Sequence, residues 1–268
     1  MAPAVRLPQC QAVRVAGPFI KRRERPAAGS IPDVLQMFVA EVRFYREIAP
    51  VVGVRVPACL LAEVNAGATL LVLEDLSDWE AGADAAGVAR VLANLHARWS
   101  GIAPARWPWL RTPDVASELV GALFDQTWPG VAGRPECTQA VRALGDRLFG
   151  HIPAVERTAA RAGPTTLVHG DASLPNVRSS STGEIARLDW EDVGAAPGVA
   201  DLAWLLVSSI DPTHWDETVA AYGSAAGLRD ALPAAASQGI LSLADTPPGS
   251  DQANNWVRRL EEAARRMR

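Results

Sequence analysis

One stretch restricts the fold more than any other: His169-Gly170-Asp171-Ala172-Ser173-Leu174-Pro175-Asn176, followed by Leu188-Asp189-Trp190-Glu191. Before it, Thr165-Thr166-Leu167-Val168 is short, apolar and β-branched, which predicts a strand ending at His169. Gly170 and Pro175 then force an irregular loop. Val177 opens a second strand, Ser181-Thr182-Gly183 reads as a turn, and residues 184–190 return as a third strand. A hairpin that follows a loop brings its far end back to the loop's start. The pattern therefore predicts Asp189 beside Asp171 and Asn176.

An Asp, an Asn five residues on and a second Asp eighteen after the first are the oxygen donors a phosphoryl-transfer site uses. One carboxylate, Asp171, accepts a hydroxyl proton. Asn176 and Asp189 are hard oxygen ligands of the kind Mg²⁺ takes together with nucleotide phosphates. Each feature alone is commonplace, and Gly-Asp in a loop is usually a turn. Their order and spacing together carry the reading.

With these residues in view, the chain resembles the aminoglycoside phosphotransferase/choline kinase superfamily, relatives of the protein kinases that phosphorylate small molecules. The run Gly198-Val199-Ala200-Asp201-Leu202-Ala203-Trp204 is similar to that family's helix after the metal loop. Glu41-Val42-Arg43-Phe44-Tyr45-Arg46-Glu47 and Leu73-Glu74-Asp75-Leu76 resemble most the ecdysteroid-kinase-like branch. The resemblance covers about residues 12–210. It implies an α+β bilobal fold: a shortened antiparallel-sheet lobe over residues 1–76, with a hinge at 74–76, and a mainly helical lobe over 77–268. It also implies an ATP- and Mg²⁺-dependent transfer of the γ-phosphate to a small-molecule hydroxyl.

The remaining positions acquire roles from that order of elements. Residues 12–15 and 19–23 alternate as a hairpin, which places Lys21 where the family keeps its phosphate-binding lysine; by itself, Lys21 is equally the head of a solvated basic run. Ser30-Ile31-Pro32-Asp33 starts a helix. Apolar residues continue at helical spacing through Ile48, with Glu41 mid-helix. The family motif aims Glu41 at Lys21, with Glu47 as its competitor and a plain helix-surface pair as the alternative. Residues 59–64 and 69–73 form a second hairpin. At the hinge, the backbone of Glu74 and Leu76 would bind adenine. His169 and Asp201 would support the loop. Glu191 shares a strand face with Asp189 if the third strand persists, in reach of metal or substrate. His96 is expected to pack within a helix over 84–100. Further helices are expected over 115–124, 137–162, 201–209, 213–226, 228–243 and 252–268.

The family's phosphate-covering Gly-rich loop has no counterpart. Leu7-Pro8-Gln9-Cys10 stands in its place. A very short lid, a start further upstream, and a catalytically weak nucleotide-binding pseudokinase all accommodate this. A metal-dependent phosphoesterase is a remoter alternative that leaves Lys21 and Glu41 without purpose. The net charge of −4 argues against a broad nucleic-acid surface. No apolar run is long enough for a membrane span. Cys10, Cys59 and Cys137 are widely spaced, as free thiols of a reducing compartment are, and with no evident signal peptide the expected location is the cytoplasm. The acceptor is not legible. Glu191, Asp192, Asp211, Asp216 and Glu217 read either as an acidic rim for a cationic substrate or as a solvated face. Nothing in the sequence sets an oligomeric state.

Overall fold

The computed structural model describes residues 11–13 and 17–268. Leu7–Cys10, the end of the first expected strand at Arg14 and Val15, and Ala16 of the turn lie outside them.

The described residues begin with β1 (Gln11–Val13) and β2 (Phe19–Arg23), then α1 (Ile31–Val34) and α2 (Met37–Arg43). Two strands follow, β3 (Cys59–Asn65) and β4 (Ala68–Leu73). All four strands form one antiparallel sheet in the order β1-β2-β4-β3. Lys21 pairs with Leu71 and Phe19 with Leu73, so period two puts Phe19 and Lys21 on one face of the sheet. α2 packs there.

The helix expected from Ile31 to Ile48 is broken. Gln36 sits in the left-handed region at φ 52° and separates α1 from α2, and a wide turn, Phe44–Ile48, extends α2 before Pro50 ends it. The break lets α2 lie across the sheet with Phe38, Glu41 and Val42 buried.

The next element, β5 (Glu80–Ala81), is followed by α3 (Ala85–Trp99). Asp84 caps α3, accepting from Gly87 N–H at 2.8 Å. Its apolar face is Val88, Leu92, Leu95 and Trp99. After the short α4 (Ala103–Arg106), α5 (Ser117–Ala132) runs eight residues beyond the expected end at Phe124 and carries Pro129 inside it. The lost backbone bond is tolerated because Trp128 and Val131, on either side, are buried. The helix expected over 137–162 is two: α6 (Gln139–Leu148) and α7 (Ile152–Ala159). Gly150 at φ 73° turns the chain between them.

The strands β6 (Thr165–Val168), β7 (Val177–Ser179) and β8 (Ile185–Arg187) come next. β7 and β8 are the expected hairpin, and β5 adds to its edge. The third strand ends at Arg187 rather than at residue 190, because Asp189 adopts a left-handed conformation at φ 55°. A strand the sequence hides, β9 (Gly194–Pro197), pairs with β6. Its Gly-Ala-Ala-Pro composition lacks every strand signal, and its burial explains the small residues: a Cβ on Gly194 would lie 2.9 Å from the Arg111 carbonyl. The chain ends in α8 (Val199–Ser209), α9 (Trp215–Tyr222), α10 (Leu228–Ala244) and α11 (Asp251–Arg266). Gly223 at φ 89° stops α9 four residues before the expected end.

Two apolar cores result. One lies among α3, α5, α6, α8, α10 and α11. The other lies between the four-stranded sheet, α2 and the Trp190 loop. Phe44 stacks on Trp190 with ring centroids 4.0 Å apart and planes 8° apart, tying α2 to the segment that carries Asp189. The architecture is α+β, with small antiparallel sheets and a mostly helical remainder.

Candidate active site

β2, α2 and the turn after β8 converge on one buried ammonium. Lys21 Nζ lies 2.7 Å from Glu41 Oε2, 2.7 Å from Asp189 Oδ1 and 3.5 Å from Glu191 Oε2. Burial lowers the lysine's proton affinity, but the three carboxylates outweigh it and hold its pKa above the ordinary lysine value. Glu41 is therefore the glutamate that meets Lys21. Glu47 instead pairs with Arg43 on the surface and accepts from the Trp109 indole. Glu191 does not share a strand face with Asp189, since the strand has ended. The left-handed turn at Asp189 brings it to Lys21 anyway, and Arg23 binds it at 2.8 Å.

The loop between β6 and β7 holds Asp171 by both oxygens. Asn176 Nδ2 donates to Oδ2 at 2.8 Å and Trp204 Nε1 donates to Oδ1 at 2.6 Å. The Trp204 contact was not foreseen as such. The signal available was its position three residues after Asp201, one turn along the same helix face. Asp201 accepts from the backbone N–H groups of His169 (2.7 Å) and Gly170 (3.0 Å), and contacts His96 Nε2 at 3.1 Å. Burial pushes the Asp201 carboxyl up, but the hydrogen bonds from His96 and from the His169 backbone N–H prevail and hold it below its ordinary range. His169 donates from Nε2 to the Leu188 carbonyl at 2.8 Å. Burial, followed by Arg187, lowers its pKa to about 4, so it is a neutral ring. Gly170 at φ 88° is obligatory: a Cβ there would sit 2.1 Å from the Asp192 carbonyl oxygen.

A cavity of about 270 Å³ opens between the four-stranded sheet and this loop, lined by Phe19, Lys21, Leu73, Leu76, Asn176 and Asp189 among others. On its rim the Glu74 side chain is already occupied, accepting from Arg55 at 2.6 Å and from Ala58 N–H at 2.9 Å. The Glu74 N–H goes to the Ala58 carbonyl and the Leu76 carbonyl accepts from Trp79 N–H. Among the described residues, the Glu74 carbonyl and the Leu76 N–H keep no backbone partner. An acceptor and a donor two residues apart are left at the mouth of an apolar slot. The oxygens of Glu41, Asp189 and Glu191 lie within 4.8 Å of one another. Asn176, having turned its amide nitrogen to Asp171, keeps Oδ1 free. Those three carboxylates are gathered on the Lys21 ammonium; the hard oxygens of the kind Mg²⁺ takes at the cleft are Asn176 Oδ1 and the Asp189 carboxylate.

The family model described as the phosphotransferase enzyme family matches residues 11–237. The chain belongs to this family. Among solved structures, this phosphotransferase is similar to a microcompartment-associated aminopropanol kinase (17% identity, 92% of this chain and 83% of that chain, TM-score 0.55). It is similar to an aminoglycoside phosphotransferase, APH(3'')-Id, from Streptomyces rimosus, solved with ADP and streptomycin (20%, 81% and 85%, TM-score 0.55). It is also similar to the choline kinase LicA from Streptococcus pneumoniae (13%, 94% and 88%, TM-score 0.53). At these identities the likeness is one of fold. No curated protein matches the sequence.

A second cavity of the phosphotransferase, about 430 Å³, lies on the other side of Asp171, walled by α5, α7, α8 and α10. Trp204 lines it. Trp215 is fully buried and Trp256 packs beside Trp204 with centroids 6.1 Å apart. The acidic rim considered from the sequence does not form: Asp211 pairs with Arg258, Asp216 with Arg266 and Glu217 with His214, all outside both cavities. Asp192 does line the second cavity, tied to Arg111 at 3.2 Å. Among the described residues Cys59 and Cys137 are free thiols, and Cys10 lies outside them. No helix among these residues is long and apolar enough to cross a membrane.

Proposed function

We propose that this phosphotransferase is a small-molecule kinase that moves the γ-phosphate of ATP, as its Mg²⁺ complex, to a hydroxyl of its acceptor. The observation that carries the reading is the shared lining of one cleft by Lys21, Glu41, Asn176 and Asp189, with Asn176 hydrogen-bonded to Asp171 at the edge of the next. In this reading residues 1–76 form the nucleotide-covering lobe, 74–76 the hinge and 77–268 the helical lobe.

Each residue's part follows from its surroundings. The Glu74 carbonyl and the Leu76 N–H would read the adenine edge. Lys21, held by Glu41, would bind the α- and β-phosphates. Asn176 and Asp189 would hold Mg²⁺, which supplies charge neutralisation on the phosphate oxygens. Asp171, fixed by Asn176 and Trp204, would orient the acceptor hydroxyl and take its proton as the oxygen bonds to phosphorus. His169 and Asp201 would set the loop rather than touch substrate. Little covalent chemistry is asked of the protein, so positioning and charge supply the rate.

The test is calorimetric titration with Mg²⁺-ATP, followed by ADP-release assays over a panel of hydroxyl compounds. Nucleotide binding with transfer to at least one acceptor supports the reading. Absence of nucleotide binding contradicts it.

A further inference from the structure

The cavity beyond Asp171 has a wall that is mostly aliphatic, including Leu123, Ala159, Ala235 and Leu241. Its charged groups can be accounted for one by one. Arg111 donates to the Glu191 carbonyl and to Asp192 Oδ1, both at 3.2 Å. Asp201 is consumed by the loop backbone and His96. Asp171 is held by Asn176 and Trp204.

Glu156 is left over. It projects from α7, is only 7% exposed, and lines the cavity. Among the described residues its carboxyl has neither a hydrogen-bond donor nor a cation within ion-pair distance. Burial alone raises its pKa to about 7. A buried carboxyl without a partner costs stability, and a ligand that supplies the partner recovers it.

We propose that Glu156 is the acceptor-recognition residue of this cavity: it pairs with the single ammonium of a compact, otherwise apolar amino alcohol, whose hydroxyl then lies at Asp171. The inference rests on the kinase reading for the transfer step. There, the acceptor oxygen bonds to the γ-phosphorus of ATP, the bond from phosphorus to the β-γ bridging oxygen breaks, ADP leaves, and the hydroxyl proton passes to the Asp171 carboxylate. An anionic acceptor would face three carboxyls, Glu156, Asp171 and Asp192, against the one guanidinium, Arg111, whose Nη2 is already bound to Asp192 and the Glu191 carbonyl and whose buried Nε is without a partner. A polycationic sugar would find one unpartnered carboxylate beside Asp171 and a mostly aliphatic wall, with Thr112 and Gln238 among its few other polar side chains. A neutral alcohol would bury Glu156 further without satisfying it.

The experiment compares two molecules of the same shape, 4-(aminomethyl)cyclohexanemethanol and its neutral counterpart 1,4-cyclohexanedimethanol, with an aminoglycoside as the polycation. Affinities are measured by calorimetry on the full chain, wild type and Glu156→Gln, and transfer is followed with Mg²⁺-ATP. The wild type is expected to bind the ammonium probe at least about tenfold tighter than the diol. Glu156→Gln, which removes an unpaired charge and should fold at least as well, is expected to erase that preference while keeping the diol's affinity and the nucleotide's. Equal binding of the two probes by the wild type overturns the assignment. So does a preference that survives in Glu156→Gln, or tighter binding of the aminoglycoside. Preferential binding of the ammonium probe without transfer to any acceptor upholds Glu156 and counts against the kinase reading. Transfer to both probes with equal KM upholds the kinase reading and counts against Glu156.

Discussion

Asn176 donates to Asp171 across 2.8 Å, yet the two side chains line different cavities: Asn176 the one that holds Lys21, Asp171 the one that holds Glu156. That hydrogen bond is the seam between the two spaces. It joins a residue of one wall directly to a residue of the other, the closeness that a group transfer between the two spaces needs.

Removing the Asp171 carboxylate should stop transfer without emptying the nucleotide cleft. Asp171→Ala is expected to lower kcat by about a hundredfold or more, the usual contribution of a general base. The nucleotide Kd should stay close to wild type. Initial-rate assays and calorimetry on the same preparation check both.

Trp204 should act through Asp171. Trp204→Phe keeps an aromatic ring against Trp256 and deletes the N–H that reaches Asp171 Oδ1 at 2.6 Å. A hydrogen bond to a charged group contributes about 2 kcal/mol, so kcat should fall about tenfold or more. Nucleotide affinity should change little, and stability should fall by no more than that hydrogen bond contributes. A loss confined to stability would make the residue merely structural.

Lys21 and Glu41 should be coupled in stability. Both are buried, 2.7 Å apart. Lys21→Met leaves Glu41 beside Asp189 and Glu191 with no ammonium, which should cost about 3 kcal/mol. Adding Glu41→Gln to Lys21→Met should recover part of that loss. Urea unfolding of the two single variants and the double variant measures the coupling.

Glu156 should make stability fall as pH rises. Its carboxyl titrates at about 7 in the folded chain against 4.5 as its ordinary value. Between those values the folded state binds the extra proton, so unfolding releases it and each step up in pH weakens folding. The contribution is fully expressed above pH 7 and is on the order of 3 kcal/mol. Glu156→Gln should be the more stable protein at pH 8 and no more stable at pH 4. Urea midpoints across that range are the measurement.

The fold class and several side-chain groupings were legible in the sequence; the exact element boundaries were less so. Asp171, Asn176 and Asp189 are separated by a loop and a hairpin, both of which leave local signals, so the Asn176–Asp171 contact and the shared cleft of Asn176 and Asp189 were legible. Lys21 and Glu41 needed the resemblance, because a lysine in Lys21-Arg22-Arg23 looks solvated until its strand is known to face α2. Residues placed by backbone conformation rather than by pattern were out of reach. Glu191 arrives at Lys21 because Asp189 turns left-handed, and β9 pairs through small residues chosen by close packing. Glu156 gave no signal either, since a glutamate in a helix is ordinarily solvated and its burial depends on where α10 packs.

The central claim is a Mg²⁺-nucleotide held in the cleft that Lys21, Asn176 and Asp189 line. Calorimetric titration of ATP into the wild type and Asp189→Asn, each with Mg²⁺ and with EDTA, tests it most directly. The wild type should bind ATP with Mg²⁺ and lose about tenfold or more in affinity with EDTA, and Asp189→Asn should bind weakly in both. Equal ATP affinity in all four titrations, or none in any, would contradict it.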